Sequence, residues 1–188
     1  MKKIIFITLF LLSVGLTYSQ EKYTADVSKT TLTWFGEKVT GDHSGPVNLS
    51  SGSFNWSGNN ITSGEFIIDM TSIDDVDKSA NLVTHLKSDD FFGVAAFPTS
   101  KLVITGSEPF DKGSATIKGN LTIKDITQPV EFKASIKKDA DGMWFYSVIS
   151  LDRTKFNVRY GSGTFFDNLG DKTIYDEFKL KVALYVKK

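Results

Sequence analysis

Cysteine is absent from the 188 residues. That excludes disulfides, thiolate metal sites, a cysteine nucleophile and a lipidated N-terminal cysteine. Histidine occurs only twice, as His43 and His85, and the two do not form a paired-histidine zinc motif. Charge of one sign is also absent. Lys and Arg total 22, Asp and Glu total 22, and no basic patch stands out, which argues against nucleic acid as a partner. There is no Gly-x-Ser-x-Gly elbow and no phosphate-binding glycine loop. Gly161-Ser162-Gly163 is a turn signal. Beyond residue 19 no apolar run approaches the roughly 20 residues that span a bilayer, so no stable transmembrane insertion is expected. Proline is scarce at four residues, and no low-complexity segment suggests a disordered half.

What is present is aromatic and strand-like. Phenylalanine alone occurs 15 times, and the length suits one domain with a real core. Met1 to Ser19 reads as a secretory signal. Lys2 and Lys3 form its charged start, Ile4 to Leu12 its apolar run, and Thr17 and Ser19 the small residues before cleavage at Gln20. The mature domain is then 20–188, with 20 basic against 22 acidic residues, located in the periplasm or secreted.

Short strands with alternating faces recur along the mature chain. Leu32 and Trp34 oppose Thr31 and Thr33, and Val47 to Trp56 continues extended. Ser57 to Asn60 reads as a hairpin turn. Ala115, Ile117, Leu121 and Ile123 oppose Thr116, Lys118, Asn120 and Thr122, with Gly119 leaving room on the apolar face. Asp125 to Pro129 turns the chain. Val130, Phe132, Ala134 and Ile136 form the next apolar face, Trp144 to Leu151 is apolar on both faces, and Phe178, Leu180, Val182 and Leu184 mark the last strand. About eight such strands would close a barrel wide enough for core side chains or one slender ligand.

The stretch from Gly64 to Pro98 departs from this pattern. Gly64 to Ile73 reads as a strand with Phe66, Ile68 and Met70 on one face, while Ile67 falls on the other. The period then changes. Leu82 and Leu86 are four apart, which predicts one short helix near residues 78–92 with Asp77 as its N-cap and Gly93 near its end. Asp74, Asp75 and Asp77 lack the glycine and distal glutamate of an EF-hand loop and read as a solvated turn. His43, in Gly41 to Gly45, reads as a solvent-facing turn residue. His85 reads as a helix-stabilising partner of Asp89. Neither a metal site nor a cofactor is expected. For Arg153 two readings stand: contact with a ligand's anionic head group, or a pair with Asp152 or another acid. No role is assigned to Gly161–Asp171.

Several ordered blocks carry a resemblance. They are Phe66-x-Ile68, Thr71-Ser72-Ile73-Asp74, His85-Leu86-Lys87-Ser88-Asp89-Asp90-Phe91-Phe92 and Phe97-Pro98. Gly119 to Ile123, Thr127-Gln128-Pro129-Val130 and Asp152-Arg153-Thr154-x-Phe156 follow in the same order. Together they resemble the YceI-like family of secreted polyisoprenoid-binding proteins. The resemblance implies an all-β, antiparallel, lipocalin-like barrel with an apolar channel for an isoprenoid, a quinone or a fatty chain. On that basis Phe66, Ile68, Met70, Leu102, Ile104, Ile117, Leu121 and Phe132 are the expected channel lining. A binding protein for carriage or storage is expected, not an enzyme. The competing readings are a lipid-modifying enzyme and a stress-related partner-binding protein, and a homodimer stays open.

Overall fold

The structure, a computed structural model, describes residues 19–188. The predicted leader lies outside the described residues, apart from Ser19. Among the described residues, nine antiparallel strands form one sheet: β1 Glu21–Ala25, β2 Thr31–Lys38, β3 Gly41–Ser57, β4 Asn60–Asp69, β5 Thr99–Ser107, β6 Ser114–Ile123, β7 Ile126–Lys138, β8 Met143–Asp152 and β9 Ile174–Lys187. The strand order runs β3-β2-β9-β8-β7-β6-β5-β4, and β4 pairs back onto β3, so the sheet closes. β1 pairs with β3 and β9 at one end, and β2 pairs with the same two strands further along. β1 and β2 are therefore one interrupted stave, and the barrel has the eight staves expected.

Alternation sets the inside and the outside. In β6, Ala115, Ile117, Leu121 and Ile123 are buried. In β8, Met143, Phe145, Ile149 and Leu151 point inward. Gly119 offers no open room, because a Cβ there would lie 2.6 Å from the Val103 carbonyl oxygen of β5.

The two ends of the barrel differ. The end with the β3–β4 and β7–β8 turns is plugged by rings. Phe54 stacks on Tyr23 at 5.4 Å and meets Phe145 edge-on at 5.3 Å, and Trp56 lies 5.4 Å from Phe110. Each such pair adds about 0.5–1.5 kcal/mol beyond its buried area. The other end carries the long connections, including helix α1, Ala80–Lys87. Leu86 of α1 is buried, and Trp34 donates to the Asp74 carbonyl at 2.9 Å.

Several expectations for this end are corrected. The strand expected through Ile73 stops at Asp69, whose carboxylate accepts from the N–H and hydroxyl of Thr71 and starts a 3₁₀ turn at Met70–Ser72. The helix is capped by Ser79, not Asp77, because Lys78 has φ 59° and breaks the backbone between them. It ends at Ser88, before Gly93. The loop expected around His43 is strand: β3 starts at Gly41, and His43 sits opposite Gly36. The turn expected over Asp125–Pro129 is only Lys124–Asp125, both at positive φ (50° and 57°), and Pro129 lies within β7.

One seam in the wall is incomplete. The β7–β8 ladder pairs only Ala134–Lys138 with Ser147–Met143. Ile126–Lys133 of β7 pair with β6 alone, and β8 beyond Ser147 pairs with β9 alone. Two side chains bridge the seam. Ser147 donates to the Lys133 carbonyl at 2.7 Å, and Gln128 donates to the Lys155 carbonyl at 3.2 Å.

Candidate ligand cavity

The alternation that points one face of each strand inward leaves the barrel's middle incompletely filled. A cavity of about 80 Å³ lies there, and every strand from β2 to β9 contributes to its wall. Of the expected lining, Phe66, Ile68, Leu102, Ile104, Ile117 and Phe132 face this cavity. Leu121 and Met70 do not. Leu121 is buried in the core nearer the helix end, and Met70 has left the strand for the 3₁₀ turn. The reading from sequence left out Leu180, Val182 and Leu184 of β9, Ile149 of β8, and Leu32 and Leu49, which also line it. Their signal was present, since Leu180, Val182 and Leu184 alternate with Lys179, Lys181 and Ala183.

The wall is apolar except for Ser147, whose hydroxyl is bonded to Lys133. Ile68, Leu102, Phe132, Leu180, Val182 and Leu184 point inward and are nevertheless only partly buried, because empty space stands in front of them. At about 80 Å³ the space is well below the roughly 300–1,000 Å³ of a small-molecule pocket, so a long chain must displace these side chains to enter.

Two further cavities lie towards the helix end. One, of about 60 Å³, is bounded by Trp34, Leu86, Phe91, Phe92, Arg153 and Phe178. The other, of about 140 Å³, is bounded by Trp34, Leu82, Leu86, His43 and His85 among others. Leu32 lines the central cavity and Trp34, one step along the same face, lines both outer ones. The Trp34 indole therefore stands between the middle and the helix end.

The polar residues singled out by sequence are placed as follows. The Arg153 side chain is 3 % exposed and cradled by backbone. Its Nε donates to the Tyr175 carbonyl at 3.1 Å, Nη1 to Val158 at 2.9 Å and Tyr160 at 2.8 Å, and Nη2 to Ile174 at 2.9 Å. The nearest acid is Asp176, with Oδ1 3.4 Å from Nη2 but outside hydrogen-bond alignment. Asp152 instead caps the following turn through the Thr154 N–H. Burial pulls the guanidinium pKa below its ordinary value, opposed by Asp176 and Asp152. Four of its five N–H groups are bonded to carbonyls and the fifth faces Asp176, so Arg153 organises the Val158–Asp176 segment. His85 does not pair with Asp89. Its ring lies edge-on to Tyr160 at 4.2 Å and to Phe91 at 5.8 Å. Asp75, expected to be solvated, is fully buried, whereas Asp74 pairs with Lys78 at 2.6 Å. Among the described residues, no helix is long and apolar enough to cross a membrane.

Comparison with known proteins agrees with this architecture. The YceI-like domain profile matches residues 23–186. A UPF0312 protein of Shewanella denitrificans is 28% identical over 116 residues, covering 61% of each chain, so the chain spans about three fifths of the curated relatives it matches. BcnA of Burkholderia cenocepacia superposes with a TM-score of 0.66 at 19% identity, over 87% of this chain and 99% of that one. A polyisoprenoid-binding domain from Saccharophagus degradans, implicated in plant cell wall breakdown, gives 0.65 at 13% identity, over 88% and 97%. At these identities the two structures share the fold.

Proposed function

The chain belongs to the family of YceI-like domains, and from that membership and the barrel's interior we propose that it binds a long-chain amphiphile. The ligand class is a polyisoprenoid, an isoprenoid quinone or a fatty-chain lipid, held by its apolar chain. The leader-like Met1–Ser19 supports carriage or storage in the periplasm or outside the cell. One observation carries the reading. All eight staves present apolar side chains to one cavity whose single hydroxyl is already bonded. Such a space rewards only apolar surface, at about 0.8 kcal/mol per buried CH₂ as an upper figure. Ordering a flexible chain reduces that gain. The Saccharophagus neighbour, a polyisoprenoid-binding domain, supports the same class. Holding is favoured over turnover because no acid, base or free nucleophile lines the central cavity. The seam between β7 and β8, next to Phe132 and Ser147, is the part of the wall that can widen without breaking a ladder.

Ile67 and Ile68 test this reading. They are adjacent and chemically identical, but only Ile68 lines the cavity; Ile67 lies on the opposite face, level with Lys101. Ile68→Trp is expected to obstruct uptake of a prenyl chain or a fluorescent apolar probe, with a stability loss of about 1–3 kcal/mol from overpacking. Ile67→Trp is expected to leave uptake nearly unchanged. Both are compared where circular dichroism shows them folded, alongside mass spectrometry of an organic extract of the native protein. Equal effects, or a larger one at Ile67, refute the interior site.

A further inference from the structure

Outside the cavity, the fold assembles a group of side chains that are scattered in sequence. Residues 74–76 lie against β3, with the Asp74 N–H bonded to the Pro46 carbonyl at 3.1 Å and the Val76 N–H to Ser44 at 2.9 Å. Gly45 permits this approach, since a Cβ there would stand 1.9 Å from the Asp74 carbonyl oxygen. The contact brings Asp75 beside His43 of β3. The left-handed Lys78 then turns the chain and keeps Asp77 nearby. One ligand atom from each of His43, Asp75 and Asp77 falls within 4.8 Å of the others.

Two of these atoms are buried and have no partner among the described residues. The Asp75 side chain is 0% exposed, and its Oδ2 accepts the Ser79 N–H at 3.1 Å while its Oδ1 has no hydrogen bond. His43 Nδ1, likewise buried and unbonded, faces that oxygen at 3.9 Å. A buried carboxylate oxygen is costly unless a cation or a donor meets it. The nearby lysine, Lys78, is already paired with Asp74 at 2.6 Å. A gap of 3.9 Å is too long for a hydrogen bond and suits an ion. Zinc lies about 2.0–2.1 Å from a histidine nitrogen and about 2.0–2.2 Å from a carboxylate oxygen, so it reaches both atoms once they draw slightly together into a tetrahedral angle.

We propose that His43, Asp75 and Asp77 form a site for one divalent cation of the zinc or cobalt class. The imidazole nitrogen selects against calcium and magnesium, which take all-oxygen shells. Asp77 is exposed and swings in as the third ligand, leaving the fourth position to water or an anionic group. His43 also borders the outer cavity with Leu82 and His85, so the cation stands at the rim of the barrel's helix end. The site does not depend on the lipid reading, and its failure would leave that reading intact.

The test uses the untagged mature protein, dialysed against a chelator and titrated with Co²⁺. One equivalent is expected to bind, with visible d–d absorption that Zn²⁺ abolishes. His43→Ala and Asp75→Asn are each expected to weaken binding at least about tenfold, because even the loss of a residue that only supports a ligand costs about 10–100-fold. Asp77→Asn is expected to cost less, and His85→Ala nothing. His43 is a partly exposed strand residue, so its variant carries the test if Asp75→Asn fails to fold. Binding below one equivalent, affinity in His43→Ala within twofold of the parent, or equal competition by Ca²⁺ each overturns the proposal.

Discussion

Replacing Arg153 by methionine is expected to destabilise the barrel, whether or not a ligand is present. Methionine keeps much of the stem's volume and removes every donor. Four carbonyl oxygens then lose their partners, those of Val158, Tyr160, Ile174 and Tyr175. A hydrogen bond to a charged group is worth about 1.5–3 kcal/mol. The four do not simply add, because water can reach the carbonyls on the partly buried side. Val158 is 0% exposed, so its carbonyl stays unsatisfied. Asp176, 28% exposed, also loses the cation 3.4 Å away. Removing one partner from a buried polar arrangement costs about 3–5 kcal/mol, which is the figure expected here. For a domain of this size that lowers the melting temperature by roughly 6–20 °C. Arg153→Lys is expected to fall between, since an ammonium on a flexible stem cannot span four carbonyls set for a planar fork. Urea unfolding followed by tryptophan fluorescence reads the change as a shift in midpoint. Limited proteolysis within 157–173 reports whether the loop loosens first. If Arg153→Met unfolds within about 1 kcal/mol of the parent and only ligand uptake falls, the guanidinium is a ligand contact and the structural argument is refuted.

Two further outcomes follow from the chain's outer parts. The Asp26 carboxyl is lowered from its ordinary 3.8 to about 2, by the Ser28 hydroxyl first and then Lys187. The stabilisation it supplies is complete above 3.8 and lost as pH falls towards about 2, so the urea midpoints of parent and Asp26→Asn are expected to converge across that window. Midpoints that stay equally far apart down to the lower limit would contradict it. Protein isolated from the producing cell is expected to begin at Gln20 or within a residue or two of it, by intact mass; Met1 retained in a membrane fraction would show that the leader is not cleaved.

Much of the barrel was legible because its information is local. Alternation in β6 names residues that are buried in the fold, and six of the eight expected lining residues do face the cavity. Met70 was misplaced for a local reason that a period of two cannot carry: the Asp69 side chain bonds the backbone two residues ahead and ends the strand. The polar sites were less legible because their partners are distant. His43 and Asp75 are 32 positions apart and meet only where Gly45 lets residues 74–76 settle on β3. Arg153 bonds carbonyls up to 22 positions away, and carbonyls are present at every residue, so no side-chain pattern reveals such a cradle.

The seam shows how a true signal can be assigned to the wrong element. Lys124-Asp125 adopts positive φ at both positions, the geometry of a tight hairpin, without the Asn-Gly or Asp-Gly pair that usually announces one. The turn expected from the sequence therefore runs too far, to Pro129. Inside a strand, a proline has no N–H for a ladder, so it is tolerated where one flank is unpaired. Pro129 sits opposite Asn120 of β6, in the half of β7 that β8 does not reach. Two of the four prolines lie within strands, Pro46 of β3 and Pro129 of β7, and Pro129 has one flank that no strand pairs. Here that edge runs beside Val130 and Phe132, the latter in the cavity wall, so the unpaired flank of β7 borders the interior.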